Sequence, residues 1–116
     1  RVLTAYLREY PDCNEMLDPF NINETFNLQY YAPTQGFKRL HAERTGVKMS
    51  KRILVFMTYL NDVPGGGTKF PSQSFTAPAE KGLTLIWPAE WTHAHAGQIS
   101  QTNEKYIITG WYSFND

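Results

Sequence analysis

Apolar residues recur along this chain at two different periods. Over residues 2–10 (VLTAYLREY), Leu3, Tyr6, Leu7 and Tyr10 fall at helical spacing, and Pro11 stops the run, which predicts one short N-terminal helix. Asp12 to Glu24 is polar, broken by Pro19 and several asparagines, and reads mostly as loop. From Thr25 onward the period shortens to that of strands. FNLQYY (26–31) and GFKRLHAE (36–43) are β-prone runs separated by the turn Ala32-Pro33-Thr34-Gln35. Arg44 to Ser50 reads as a mobile connection. Residues 52–60 (RILVFMTYL) form the longest apolar run and the best central strand. Asn61 to Gly67 is rich in turn formers, and Gly65-Gly66-Gly67 is expected to make a hairpin turn. Short strands are predicted at 68–70, 74–77 and 83–87, with a tight turn at Ala79-Glu80-Lys81-Gly82 before the last. THAHA (92–96) and KYIITGWYSF (105–114) close the chain.

A short helix followed by about eight closely spaced strands indicates a mainly β fold, an antiparallel barrel or jelly roll. An antiparallel sandwich without any site satisfies the same periodicity. At 116 residues, 41% hydrophobic and 15% aromatic, the chain suits one packed domain and is too short for two. Eleven basic and eleven acidic side chains cancel, so charge offers no reason to expect nucleic acid or an anionic membrane as partner. No apolar run approaches the roughly 20 residues that span a bilayer. The single cysteine, Cys13, excludes an internal disulfide framework and fits a reducing, cytoplasmic setting. Its polar neighbours place it in a loop, as a bystander thiol.

Candidate chemistry is concentrated in the histidines. His41 and Glu43 are two residues apart, and alternation in an extended strand turns both to one face, with the small Ala42 facing the other way. His93 and His95 also alternate with alanines, and the chain has no further histidine. Two imidazoles and one carboxylate hold a non-haem Fe(II) on one side and leave the other side open for substrate and O₂. Alternation leaves open whether His93 or His95 completes the set. In the last strand Lys105, Ile107, Thr109 and Trp111 share a face. A lysine turned inward there is costly unless paired, and an acidic cosubstrate reaching from the metal removes that cost. Arg39, on the face of His41 if the strand is regular, touches substrate, pairs with Glu43 or is solvated. Thr45 to Ser50, polar and directly after the first ligand pair, is placed to close over substrate. Trp87 and Trp91 read as core or rim packing, and Trp111 as the better pocket residue.

The combination YLNDVPGGGTKFP (59–71), KGLTLIWPAEWTHAHAG (81–97) and KYIITGW (105–111) resembles the catalytic core of the Fe(II)/2-oxoglutarate oxygenases of the prolyl 4-hydroxylase type. That family carries a His-x-acid triplet, a Gly-Gly-x-Thr-x-Phe segment, a Lys-Gly turn before an apolar strand, a His-x-Gly motif, and a lysine ten residues later. His41/Glu43, Gly65 to Phe70, Lys81-Gly82, His95-Ala96-Gly97, Lys105 and Tyr106 supply them, over about residues 28–114. The resemblance implies a double-stranded β-helix with a short N-terminal helix. It implies His41, Glu43 and His95 as iron ligands, with His93 beside the ligand or lining the pocket. Lys105 then binds the C5 carboxylate of 2-oxoglutarate, helped by a hydroxyl from Thr109 or Tyr31, with Tyr30 the alternative to Tyr31. The implied activity is a dioxygenase that hydroxylates an unactivated C–H, a peptidyl proline first, with release of succinate and CO₂. The partner expected is a peptide or protein substrate. A small molecule, another residue type, or a jelly roll that binds without turnover are the alternatives. The departure from the family pattern is Glu43, where aspartate is usual. Members also carry more chain before the first ligand strand than the forty residues here, which implies that 1–116 is one catalytic domain in minimal or N-terminally truncated form.

Overall fold

The computed structural model describes all residues, Arg1 to Asp116. Helix α1 (Val2–Glu9) is the predicted one, and Pro11 starts a second short helix, α2 (Pro11–Glu15), where the polar composition suggested only loop. A proline is well suited to a first helical position because it gives up no needed N–H there. Cys13 therefore lies on α2, and burial pushes its thiol up, away from the reactive thiolate form.

Eight strands follow: β1 (Phe20–Asn21), β2 (Asn27–Tyr31), β3 (Arg52–Tyr59), β4 (Val63–Phe70), β5 (Phe75–Ala79), β6 (Thr84–Pro88), β7 (Ala96–Gly97) and β8 (Lys105–Phe114). All pairings are antiparallel. One sheet runs β1-β8-β3-β6, with β2 also pairing along β8, and the second runs β5-β4-β7. The fold is the expected double-stranded β-helix. The long apolar run is central, as its composition demands: β3 lies between β6 and β8. Val55, Phe70, Trp87 and Ala89 form one core cluster, and Tyr59, Val63, Ala79 and Ile107 form another. No helix is long and apolar enough to cross a membrane.

Two predicted elements differ. The glycine run is not a hairpin turn but part of β4, which starts at Val63. Register runs from Val63 opposite Ala79 to Thr68 opposite Ala77, five steps against two, so the glycines form a bulge within the ladder. Gly65 has φ +69°, and a Cβ on Gly67 would come within 1.8 Å of the Ala77 carbonyl oxygen. Only glycine meets both demands. Residues 36–43 are not a strand. They touch the β7 side at two places, Gly97 N–H to the Phe37 carbonyl and a single bridge between His41 and His95. Four residue steps from Phe37 to His41 face two from Gly97 to His95, so the chain bows out between these contacts.

Candidate metal centre and its cavity

A cavity of about 300 Å³ lies between the two sheets, with His41, Glu43 and His95 among its walls. His41 and His95 exchange backbone hydrogen bonds of 3.0 and 2.9 Å, which sets their side chains next to each other, ring centroids 4.3 Å apart. Glu43 Oε2 lies 2.9 Å from His41 Nε2 and 3.1 Å from His95 Nε2. Each imidazole places Nδ1 against the carbonyl two residues earlier, His41 against Arg39 at 2.8 Å and His95 against His93 at 3.0 Å. A carbonyl accepts only from an N–H, so Nδ1 carries the proton in both rings. Nε2 is then the atom that gives a proton to Glu43 or offers a lone pair to a cation.

These distances fit a metal ion. Bonds of about 2.1 Å at right angles set ligand atoms about 3 Å apart. The possible ligand atoms of the three residues all lie within 4.8 Å of one another. Burial pushes the Glu43 carboxyl up, but hydrogen bonds from His41, His95 and Trp111 outweigh it and hold the group well below the usual carboxylate range. The hydrogen bond to Glu43 raises His41 in return. Phe70 and Trp87 pack on the His95 ring, with centroids at 5.6 and 4.8 Å. The arrangement holds negative charge ready in a largely dry setting.

Lys105, only 6% exposed, also lines the cavity. Its ammonium donates to the carbonyls of Gly66 and Gln98, both at 3.0 Å, and meets no carboxylate. Burial lowers its pKa. A buried cation balanced only by neutral carbonyls is the complement of an incoming anion. Tyr31 faces it, with the ring centroid 5.5 Å from Nζ, whereas Tyr30 is turned outward onto Tyr106 and Glu104. Of the two tyrosines, Tyr31 is the one that lines the cavity. Thr109 lines the same wall, as alternation along β8 requires. Gly97 has a packing reason: a Cβ there would lie 3.1 Å from the Phe37 carbonyl oxygen and 3.7 Å from Lys105 Nζ.

Other expected residues fall elsewhere. His93 and His95 share parity in sequence but not a face. Trp91–His93 forms a single 3-10 turn, which breaks the alternation and sends His93 into a separate cavity beside Tyr6, Tyr10 and Phe75. Arg39 is exposed and does not line the cavity; its carbonyl, not its guanidinium, serves the site through His41. The reason is the bowed backbone at 37–41, where regular alternation fails. Trp111 is in the cavity wall and bonded to Glu43, Nε1 to Oε1 at 3.0 Å. Trp87 is buried in the core, whereas Trp91 is largely exposed and lines neither cavity, so the expected packing holds for Trp87 alone. Thr45, and Met49 at the end of the short 3-10 turn Val47–Met49, reach the cavity from the segment expected to cover it. Arg44 at its base pairs with Glu90. Sequence reasoning missed Arg52, which lines the cavity and pairs with Glu24. Arg52 sits on the central strand, whose apolar run gave no sign of an inward cation.

Two imidazoles and a carboxylate at one end of a double-stranded β-helix, facing a buried cation, are the fittings of a mononuclear non-haem iron oxygenase. The chain belongs to the 2OG-Fe(II) oxygenase superfamily, whose sequence profile matches residues 26–113. Members of this family use Fe(II), 2-oxoglutarate and O₂. The fold is shared with prolyl 4-hydroxylases. The viral collagen prolyl hydroxylase of Paramecium bursaria Chlorella virus-1, solved with 2OG, superposes with a TM-score of 0.72 at 21% identity, over 98% of this chain and 72% of that one. A prolyl 4-hydroxylase of Phytophthora capsici gives 0.75 at 22% identity, over 97% and 39%. A Pseudomonas putida prolyl-4-hydroxylase gives 0.68 at 19% identity, over 97% and 63%. The chain thus spans less than two thirds of the length of the last two. No match is found among curated proteins.

Proposed function

We propose that residues 1–116 form a catalytic domain that hydroxylates an unactivated C–H of a peptide, a prolyl residue first. One observation carries the reading: a three-residue ligand set and an uncompensated ammonium line the same cavity. In this reading His41 and His95 through Nε2, and Glu43 through Oε2, hold Fe(II). Lys105 receives the distal carboxylate of 2-oxoglutarate, with the Thr109 hydroxyl as a neighbouring donor; the Tyr31 hydroxyl donates to Gln29 Oε1 at 2.9 Å and joins only by turning from it. When bound, the iron with 2-oxoglutarate and O₂ supplies the oxidising power for hydroxylation, with succinate and CO₂ as co-products.

The chain's own residues then have defined tasks. The Arg39 and His93 carbonyls hold both Nδ1 protons, so that the Nε2 lone pairs stay directed at the metal. The Gly66 and Gln98 carbonyls hold the Lys105 ammonium in place before its partner arrives. Tyr59, Met57 and Val55 line the cavity wall and make that side of it largely apolar. Phe37, edge-on to His41 with centroids at 4.5 Å and half exposed, together with Met49, offers an apolar surface suited to a pyrrolidine ring. That the proteins sharing this fold include prolyl hydroxylases supports a peptide substrate.

The test mixes the protein with Fe(II), 2-oxoglutarate, ascorbate and a panel of proline-containing peptides, and follows succinate and peptide mass. Succinate with a 16 Da gain on a prolyl peptide is expected. Succinate formed equally with every peptide, and no mass gain, would remove the prolyl assignment and leave the oxygenase one.

A further inference from the structure

Glutamate reaches further than aspartate and has one more rotatable bond, so its carboxylate needs a restraint to present one oxygen to a metal. The structure contains such a restraint. Glu43 Oε2 faces both imidazoles, while Oε1 accepts the Trp111 indole N–H at 3.0 Å. The indole is itself held: the Arg52 guanidinium lies 3.8 Å from the ring centroid, in cation–π geometry. Arg52 is fixed in turn by a fork onto Glu24, Nε to Oε2 at 2.9 Å and Nη2 to Oε1 at 2.8 Å. Its remaining nitrogen, Nη1, donates to the backbone carbonyl of Glu43 at 3.0 Å. Arg52 therefore reaches Glu43 twice, directly at the backbone and through Trp111 at the carboxylate. Ser113, two residues beyond Trp111 on β8, also donates to Glu24.

We infer that Trp111 is a positioning residue, clamped by the Arg52–Glu24 pair, that holds Glu43 with Oε2 alone turned toward the metal. This rests on the reading of His41, Glu43 and His95 as the ligand set. Trp111 has the shape and position of a substrate-lining aromatic, yet its one polar atom is committed to the carboxylate. Arg52, though it lines the cavity, uses one N–H of each of its three nitrogens on Glu24 and on the Glu43 backbone, which fixes its guanidinium plane beneath the indole.

The test measures metal binding rather than turnover. Metal-free protein is titrated anaerobically with Fe(II), and with Co(II) to read the visible ligand-field spectrum. Trp111→Phe keeps an aromatic face against Arg52, on a smaller ring, but lacks the N–H. It is expected to weaken metal binding about 10–100-fold and to alter the Co(II) spectrum, the range typical of partners that orient a ligand. Arg52→Met, which leaves the indole N–H but frees the ring, is expected to give a smaller loss of the same kind. In Glu43→Asp the shorter side chain cannot keep both contacts, so adding Trp111→Phe should change the affinity little. This non-additivity separates positioning from general destabilisation. Equal Fe(II) affinity and spectra for wild type, Trp111→Phe and Arg52→Met would overturn the inference alone. Absence of wild-type binding, or binding unaffected by His95→Ala, would overturn the ligand reading and the inference with it.

Discussion

His41 and His95 meet across a single antiparallel bridge, with two backbone hydrogen bonds and no regular strand on the His41 side. A one-pair bridge is enough to hold two imidazoles at 4.3 Å, because each ring is also tied to a carbonyl of its own segment. From this follows a clear distinction between the two histidines of the THAHA segment. His95→Ala should abolish Fe(II)-dependent succinate formation and high-affinity metal binding. His93→Ala should retain much of both, since its ring lies in another cavity and only its carbonyl serves the site. Activity measurements with metal titration check this; an inactive His93→Ala beside an active His95→Ala would reverse the assignment.

Lys105→Met keeps length and packing and removes the charge. A charge-assisted hydrogen bond contributes roughly 1.5–3 kcal/mol. The affinity for 2-oxoglutarate is therefore expected to fall about ten- to a hundredfold with little change in metal binding. Anaerobic titration of the Fe(II) protein, read from its metal-to-ligand absorption band, measures both. The variant also has a stability signature. Burial lowers the lysine's pKa, so near that value the unfolded chain binds more protons and wild-type stability rises with pH. Lys105→Met should lose that alkaline gain.

Acid should act through carboxylates. Arg52 holds Glu24 below its ordinary range, chiefly by direct hydrogen bonding, and three donors do the same for Glu43 against the opposing effect of burial. A lowered folded-state pKa contributes stability above the unfolded value, about 4.3, and that stability is lost as pH falls through the folded value. Metal-free protein should therefore lose stability progressively below about pH 5. Arg52→Met should reduce that dependence, as seen in urea midpoints measured from pH 3 to 7.

Gly67→Ala tests the bulge in β4. With the Ala77 carbonyl oxygen 1.8 Å from the added Cβ, β4 and β5 must separate. Overpacking commonly costs about 1–3 kcal/mol, and a backbone neighbour that cannot rotate away puts this site at or above the upper end. Chemical denaturation of the two proteins reads it directly. Gly65→Ala, which meets open space but sits at φ +69°, should cost less.

Much of the fold and its chemistry was legible in the chain because strand alternation carried it. In β8 the reading of Lys105, Ile107, Thr109 and Trp111 as one face is reproduced in full, since a long regular strand preserves parity. Parity failed where the backbone is irregular. Arg39 and His93 lie in a bowed segment and a 3-10 turn, and neither side chain points where alternation placed it. The glycine bulge in β4 looked like a turn because composition reports tolerance for positive φ, not whether the ladder continues past it. Arg52 and Glu24 were invisible for another reason. Their pairing spans 28 positions, and nothing local in either segment announces the partner.

Strand β8 also acts as a ruler. It carries the lysine at one end and the tryptophan that grips Glu43 six residues later, both inward because their spacing is even. Deleting or inserting one residue between them would turn one of the two outward, whatever the residue's identity. Point substitutions along the outward face, at Tyr106 or Ile108, should be absorbed, whereas a frame-preserving single-codon indel should dismantle the cavity from one end. Variation in this stretch is thus constrained in length more tightly than in composition.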